Sequence, residues 1–253
     1  MHAFVPEFIP CPINNAPYRT HPGLSLYVCK FVDMTDKAPD PAAWARAAAI
    51  LHKNSMDKSP EGEFGFNCTT YSDNIPVDCI WDSSWEVVWT FQMKKLLEQD
   101  KALHGLDEKY SKLQDDFFRV VVPKYLSPLE SNGRSITPCL LHLNLWRGNI
   151  KPRANSDTAC VMLNSAPCWG HHEAELGVCR NSRYGLGEPY IEEYLKRMPI
   201  SEPAEDFDTR NAIYAVRHHV LLSLIHYKDL SFRQIAIKEM KQLVEKATST
   251  ISK

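Results

Sequence analysis

The sequence predicts an α+β fold that is mostly α-helical, with a small β element near the middle of the chain. Apolar residues recur at helical spacing between residues 39 and 126 and again after residue 188. Two short apolar runs, "PCLLHLNL" and "ACVMLNSA", are instead typical of strands. With 253 residues, of which 44% are hydrophobic and 24% charged, the chain can bury a substantial core as one domain or two closely joined lobes.

The first third of the chain contains little β structure and one clear helix start. The partly alternating run "LSLYVCKFVDM", within residues 1–34, predicts a strand that leads into a connector. Asp40 is a good N-cap and Pro41 suits the first helical position, so a helix is predicted from there, with Trp44 opening its apolar stripe. The polar segment 54–74 is long enough to predict a functional loop.

The remaining elements follow from caps and periodicity. Ser83 and Glu86 form a capping-box pattern that predicts a second helix, and residues 107–126 predict a third. The two central apolar runs flank the turn sequence "RANSD" and are predicted to pair as a small hairpin. Residues 189–197 and 210–227 predict further helices, and the sequence "SFRQ" predicts the cap of a last one.

Composition excludes several classes of partner. The 29 basic and 31 acidic residues nearly balance, so neither nucleic acid nor an anionic membrane is expected as a partner. No segment approaches the ~18 apolar residues of a membrane span, and "MHAFVPEFIPCP" does not resemble a secretory signal, so a cytoplasmic protein is expected. The eight cysteines contain no C-x-x-C pair, which favours free thiols in a reducing compartment.

Two stretches carry the functional signal: "HLNLWRGN" at residues 142–149 and "LNSAPCWGHHEAELG" at residues 163–177. Together they resemble the ketosamine/fructosamine-3-kinase family, relatives of aminoglycoside phosphotransferases. The family motifs are H-G-D-L-W-x-G-N and D-x-x-x-x-(W/Y)-G-H-x-E-x-(D/E)-L-(G/A). The similarity also includes "FVDMTDKAPDPAAWARAAAILHKNS", "GEFGFNCTTY" and "SRYGLGEPYIEEY", and it covers the chain to about residue 200.

This resemblance implies a protein-kinase-like fold of the aminoglycoside phosphotransferase type. Residues 39–253 would form the helical C-lobe, which carries both motifs, and residues 1–38 would form the remnant strands and hinge of the N-lobe. The family's phosphate-covering loop and lysine-bearing strand have no counterpart before residue 34. A truncated N-lobe is therefore expected.

Two residues depart from the family at the positions that matter most for phosphoryl transfer. Asn149 matches the family's metal-binding asparagine, whereas Asn144 replaces its catalytic aspartate and Asn164 its metal-binding aspartate. A neutral amide is a poor ligand for Mg²⁺ and cannot act as a general base near neutral pH. No cofactor is expected, and ATP with magnesium would be needed only if phosphotransfer survives.

Several other candidates have two interpretations each. The resemblance gives His142 the role of orienting the loop, although it could also be a base. Trp85, Trp146 and Trp169 fall in segments that line the family's sugar-amine pocket, but core packing explains each equally well.

The triplet His171-His172-Glu173 invites a metal interpretation, but the resemblance implies structural hydrogen bonds instead, so no metal site is expected. His171 and Glu173 are kept with the three tryptophans as candidate substrate-binding residues.

Three hypotheses of function follow. The first is a pseudokinase that binds a small molecule or a protein. The second is a repurposed enzyme of a specialised-metabolite pathway that uses His142, Asn144, His171 or Glu173 for an isomerisation, cyclisation or condensation. The third is residual ketosamine or protein-ribulosamine 3-kinase activity. A homodimer is one way to cover the apolar surface that a missing lobe would expose.

Overall fold

The computed structural model describes residues 1–156 and 159–249. Its helices are, in chain order, α1 (Pro41–Ser55), α2 (Trp85–His104), α3 (Glu108–Asp116), α4 (Val122–Leu126), α5 (Glu188–Leu195), α6 (Phe207–Ile225) and α7 (Ser231–Ser249). Its strands are β1 (Pro12–Pro17), β2 (Ser25–Cys29), β3 (Thr70–Ser72), β4 (Ile75–Val77), β5 (Cys139–Leu141), β6 (Ile150–Pro152), β7 (Cys160–Met162) and β8 (Cys168–Gly170). The predicted mostly helical α+β class is confirmed within these residues.

Helix α1 forms where its cap predicts. The Asp40 carboxylate accepts hydrogen bonds from the backbone N–H groups of Ala42 (2.9 Å) and Ala43 (3.2 Å), which otherwise lack intrahelical partners. The indole of Trp44 is fully buried and donates to the backbone carbonyl of Leu145 (3.0 Å). The first helix is thereby tied directly to the loop that carries Asn144.

The predicted capping box of α2 is wrong. The helix begins at Trp85, and its cap comes from Glu130, whose carboxylate accepts from the Trp85 backbone N–H (3.0 Å) and the Ser84 hydroxyl (3.1 Å). Ser83 and Glu86 do not form the predicted reciprocal pair, because the turn after α4 brings a carboxylate to the helix end from elsewhere in the chain. Burial raises the pKa of Glu130, and the hydrogen bonds it accepts oppose that shift.

The predicted pairing of the two central runs is also wrong. Strand β5 pairs antiparallel with β8, and β7 pairs antiparallel with β6, so each run has a different partner. The hairpin β6–β7 is enclosed between β5 and β8, and the runs meet at a single backbone hydrogen bond from Ala166 to His142 (3.0 Å). The predicted turn lies between β6 and β7, and its Asp157 lies outside the described residues.

Helix α6 forms the centre of the helical body. Its residues are buried on every side, as expected for a helix enclosed by its neighbours, and it packs on α7 and on the 3₁₀ segment His172–Arg180. Near the N-terminus, Val5 and Phe8 are buried against α1, whereas the β1–β2 hairpin is exposed. No helix among the described residues is long and apolar enough to cross a membrane.

The distant cap of α2 can be tested by removing the carboxylate. We expect Glu130→Ala to lower the free energy of unfolding by about 1 to 2 kcal/mol, because helix N–H groups lose their acceptor. Urea denaturation followed by far-UV circular dichroism measures this. Glu98→Ala is a suitable control, since that α2 side chain is 63% exposed, and an equal loss in both variants would contradict the capping role.

Candidate functional site

The loop of residues 142–149 is held by a buried carboxylate. Glu175 accepts hydrogen bonds from the backbone N–H groups of His142 (2.6 Å) and Leu143 (2.9 Å). On the other side, the Arg217 guanidinium donates to the Leu143 carbonyl (3.1 Å). Leu143 has a φ of +54°, a left-handed conformation that bulky residues rarely adopt, so these three bonds fix a turn that the chain would otherwise avoid.

The charge state of Glu175 suits this role. Burial favours its neutral form, but His52, His142 and the backbone hydrogen bonds outweigh that effect and hold its pKa below the usual glutamate range. The His52 ring lies against the carboxylate, with its Nε2 atom at 3.5 Å. An ionised carboxylate is the stronger acceptor for the two N–H groups of the loop.

The three asparagines of the motifs meet at the end of this loop. The Asn144 side-chain amide donates to the backbone carbonyl of Asn164 (2.9 Å), and the Asn149 amide donates to the backbone carbonyl of Asn144 (2.8 Å). A carboxylate at position 144 could not donate the first of these bonds. Asn164 has a φ of +52°, a conformation that asparagine tolerates better than most residues. The loop is thus arranged to suit an amide at position 144.

His142 is a positioning residue in this geometry. Its Nδ1 atom accepts from the Asn144 backbone N–H (3.3 Å), and the ring is fully buried. Burial lowers the pKa of His142 to about 4, so the imidazole is neutral at physiological pH. The bond at Nδ1 makes the ring a support for the loop, and His142 also lines the larger of the two cavities described next.

Two cavities adjoin at Asn164. The first, the asparagine cavity, measures about 550 Å³, and its lining includes Asn144, Trp146, Arg147, Asn164, Arg183 and Tyr184. The second, the N-terminal cavity, measures about 630 Å³, and its lining includes His2, Tyr27, Phe66, Met162, Asn164 and Trp169. Volumes of this size suit small organic ligands.

The three tryptophans predicted to line one pocket lie in different places: two line the cavities and one lies in the core. Trp146 lines the asparagine cavity, and its ring centroid lies 5.7 Å from that of Tyr184 at an interplanar angle of 32°. Trp169 lines the N-terminal cavity, where Phe4 packs on it edge to face. Trp85 is 1% exposed, donates to the Tyr214 hydroxyl (3.0 Å) and is a core residue.

The segment 171–173 forms a buried hydrogen-bonded unit. Its ligand-type atoms all lie within 4.8 Å of one another, the arrangement of a candidate metal site. However, the Glu173 carboxylate makes a bidentate ion pair with Arg210 (2.8 and 3.1 Å) and accepts from the Ser201 backbone N–H (2.8 Å). Both histidines contact the Ser201 hydroxyl, and burial lowers their pKa values well below the usual range. Neither His171 nor Glu173 is among the residues that line the two cavities.

Sequence reasoning missed several residues of the asparagine cavity. Arg183 and Tyr184 come from the 3₁₀ turn Ser182–Tyr184, and His226 follows the end of α6. The first two lie in "SRYGLGEP", which the resemblance covered without a role, whereas nothing marked His226. Asp73 lines the cavity from the β3–β4 turn, so the predicted functional loop does contribute to the site.

The family model for fructosamine kinases matches residues 5–246. The chain belongs to the fructosamine kinase family. Its curated relatives include the chloroplastic protein-ribulosamine 3-kinase of Arabidopsis thaliana, 28% identical over 205 residues that cover 78% of this chain and 56% of the relative. The ketosamine-3-kinase of Mus musculus is 24% identical over 62% of this chain and 47% of its own length. The chain thus spans about half the length of these relatives.

Solved structures confirm the predicted kinase-like fold. A candidate fructosamine-3-kinase of Haemophilus somnus 129PT superposes with a TM-score of 0.71 at 18% identity, covering 95% of this chain and 76% of the other. An aminoglycoside phosphotransferase in complex with gentamicin superposes with a TM-score of 0.55 at 12% identity, covering 95% of this chain and 78% of the other.

The role of Glu175 predicts a large loss of stability when its charge is removed. In Glu175→Gln, the side chain can accept fewer bonds and places an NH₂ group among backbone N–H donors, so we expect a loss of about 2 kcal/mol or more. Chemical denaturation measures it. The control is Glu188→Gln on the exposed surface of α5. A loss below that of the control would show that the loop does not depend on the carboxylate.

The buried histidines predict acid sensitivity. Burial lowers the pKa values of His142, His171, His172 and His218 from the ordinary 6.5, to about 4 for His142. The unfolded chain therefore binds more protons between about pH 6.5 and 4, and stability should fall as the pH drops through that window. Urea denaturation at intervals from pH 7.5 to 4.5 measures this dependence.

A matched pair of variants isolates the effect. His218→Leu removes one buried imidazole and should flatten the dependence of stability on pH by up to about 1.4 kcal/mol per unit. His21→Leu, on the exposed β1–β2 hairpin, should leave the slope unchanged. Equal slopes in the wild type and His218→Leu would contradict the assignment.

Proposed function

We propose that this chain is a pseudokinase of the fructosamine kinase family, which binds a small molecule in the asparagine cavity and transfers no phosphate. One observation carries the proposal: Asn144 and Asn164, at the family's two aspartate positions, join each other through a hydrogen bond of 2.9 Å. Among the described residues that line this cavity, Asp73 alone has a carboxylate. The groups that face the ligand are otherwise neutral or cationic.

The residues present do not fit the magnesium that the family implies. Mg²⁺ in phosphotransferases relies on carboxylates together with the nucleotide phosphates. Here Asn144 and Asn164 offer neutral amide oxygens at the two aspartate positions, and Arg147 lines the same cavity. We therefore assign no step to a bound metal.

The contacts of the predicted bases favour a binder over a repurposed enzyme. Asn144 does not titrate, and the Nδ1 atom of His142 already accepts a backbone hydrogen bond. His171 and Glu173 are engaged within the protein interior. An isomerisation, cyclisation or condensation would have to use another group, such as Asp73 or His226.

The test compares this chain with a relative that is named a kinase. Calorimetry should detect no magnesium-dependent binding of ATP, and ribulosyl- and fructosyl-lysine peptides should release no ADP above background. The Arabidopsis thaliana protein-ribulosamine 3-kinase serves as the positive control. Placing asparagine at its two aligned aspartates should lower its turnover by about 10²-fold or more, since a base and a metal ligand are lost together.

Two results would overturn the proposal. Ketosamine-dependent ADP release that disappears in Asn144→Ala would establish phosphotransfer through amides. Turnover of a metabolite without nucleotide, lost in the same variant, would establish the repurposed enzyme instead.

The protein partner, the oligomeric state, the pathway and the cellular location remain predictions. A protein partner, a homodimer and a specialised-metabolite pathway are compatible with the binding proposal, as is cytoplasmic location. One relative bears the word chloroplastic in its name, so location is best established directly by microscopy of a tagged full-length protein.

A further inference from the structure

Two arginines line the asparagine cavity. Arg147 and Arg183 line it and come from different segments, the loop after β5 and the turn before α5. The two segments meet, because the Arg147 side chain lies 3.5 Å from the position that a Cβ atom on Gly185 would occupy. Two guanidinium groups and the Asp73 carboxylate line the cavity, and outside its lining the carboxylates of Asp36 and Asp229 interact with Arg147 and Arg183 respectively.

A third cation lies behind the cavity wall. Arg217 is 3% exposed, and its Nε and Nη2 atoms have no hydrogen-bond partner among the described residues. Among the described residues, no carboxylate forms an ion pair with Arg217 within 4.0 Å. Its Nη1 atom donates to the carbonyl of Leu143, which precedes Asn144. Arg217 and the ionised Glu175 bind the same residue, Leu143, and interact electrostatically, so the carboxylate offsets part of the charge of this guanidinium.

The Arg183 side chain is held at the cavity by a second polar residue. The Arg183 Nη2 atom lies 3.3 Å from the Nε2 atom of His226, so the guanidinium faces an acceptor and is presented along the cavity wall. Arginine binds carboxylates through a planar fork of N–H groups. An anion is the ligand that such a wall recognises.

The remaining lining of the cavity is aromatic and aliphatic. The Trp146 and Tyr184 ring centroids lie 5.7 Å apart at an interplanar angle of 32°, and Leu222 and Ile225 of α6 line the same cavity. A planar ring of one or two fused cycles fits against such a surface, and aromatic contacts add to the area buried. The charged and apolar walls belong to one cavity of about 550 Å³.

We infer that the asparagine cavity binds a small aromatic carboxylate. This inference rests on the proposed function, because a magnesium-bound nucleotide would bring its own charges to the same residues.

Three probes that share one ring system test the inference. Isothermal titration of the full chain would use indole-3-acetate, indole-3-acetamide and tryptamine, which are anionic, neutral and cationic at pH 7.5. We expect the anion to bind about tenfold more tightly than the amide, tryptamine to bind most weakly, and added salt to weaken only the anion.

Variants of the cavity identify the groups responsible. Arg147→Gln and Arg183→Gln should each weaken the anion several-fold without changing the amide, and Arg183→Lys should restore part of the loss. Arg119→Gln is the control, since that arginine is 72% exposed and pairs with Asp116 away from the cavity. Circular dichroism and melting temperature confirm that each variant is folded.

Three outcomes would overturn the inference: equal affinity for the three probes, preference for tryptamine, or an anion preference that persists in the Arg147→Gln, Arg183→Gln double variant. Absence of binding by all three at millimolar concentration would also overturn it. These titrations contain no nucleotide, so they are independent of the ATP and ketosamine assays that test the proposed function.

Discussion

The hydrogen bonds from the backbone of His142 and Leu143 to the buried Glu175 carboxylate are the contact on which the site depends. They hold Leu143 in a left-handed conformation, and that turn directs Asn144 towards Asn164. Glu175 belongs to a 3₁₀ segment that packs on α6, so the loop is fixed by the core of the helical body. Its shape does not require a bound metal or nucleotide.

This independence explains how the loop can keep its form without the family's acids. The amide of Asn144 satisfies the Asn164 carbonyl, a contact in which a carboxylate would be repelled. The family motif has glycine where this chain has Leu143, and the left-handed conformation costs a bulky residue roughly 1 to 2 kcal/mol. Burial of the leucine, which is 3% exposed, offsets a cost of that size.

Sequence reasoning succeeded where the cause was local or where a motif was shared. The cap of α1 lies beside the helix that it starts, and the two motifs brought Asn144, Asn149 and Asn164 to one place. It failed where the partner was distant: the cap of α2 comes from Glu130, and β5 pairs with β8 across the enclosed hairpin. Local periodicity contains no information about such partners.

Local sequence pattern also does not predict which residues line the cavities. Trp85 and Trp146 are indistinguishable by pattern, yet one is enclosed by Tyr214 and the other faces a cavity, because only the packed α6 decides which indole is covered. The guanidinium of Arg183 and the imidazole of His226 approach to 3.3 Å across 43 positions of sequence. Long-range packing of this kind places the cationic groups at the site.

The proposed loss of phosphotransfer and the proposed preference for an anion share one electrostatic cause. In a site with two aspartates, the carboxylates balance nearby guanidinium groups and attract a dication. Replacing both with amides removes two negative charges, so a cavity lined by Arg147 and Arg183 should attract a dication less strongly and an anion more strongly. On both proposals, asparagine at positions 144 and 164 changes the ligand that the cavity selects as well as the chemistry that it can perform.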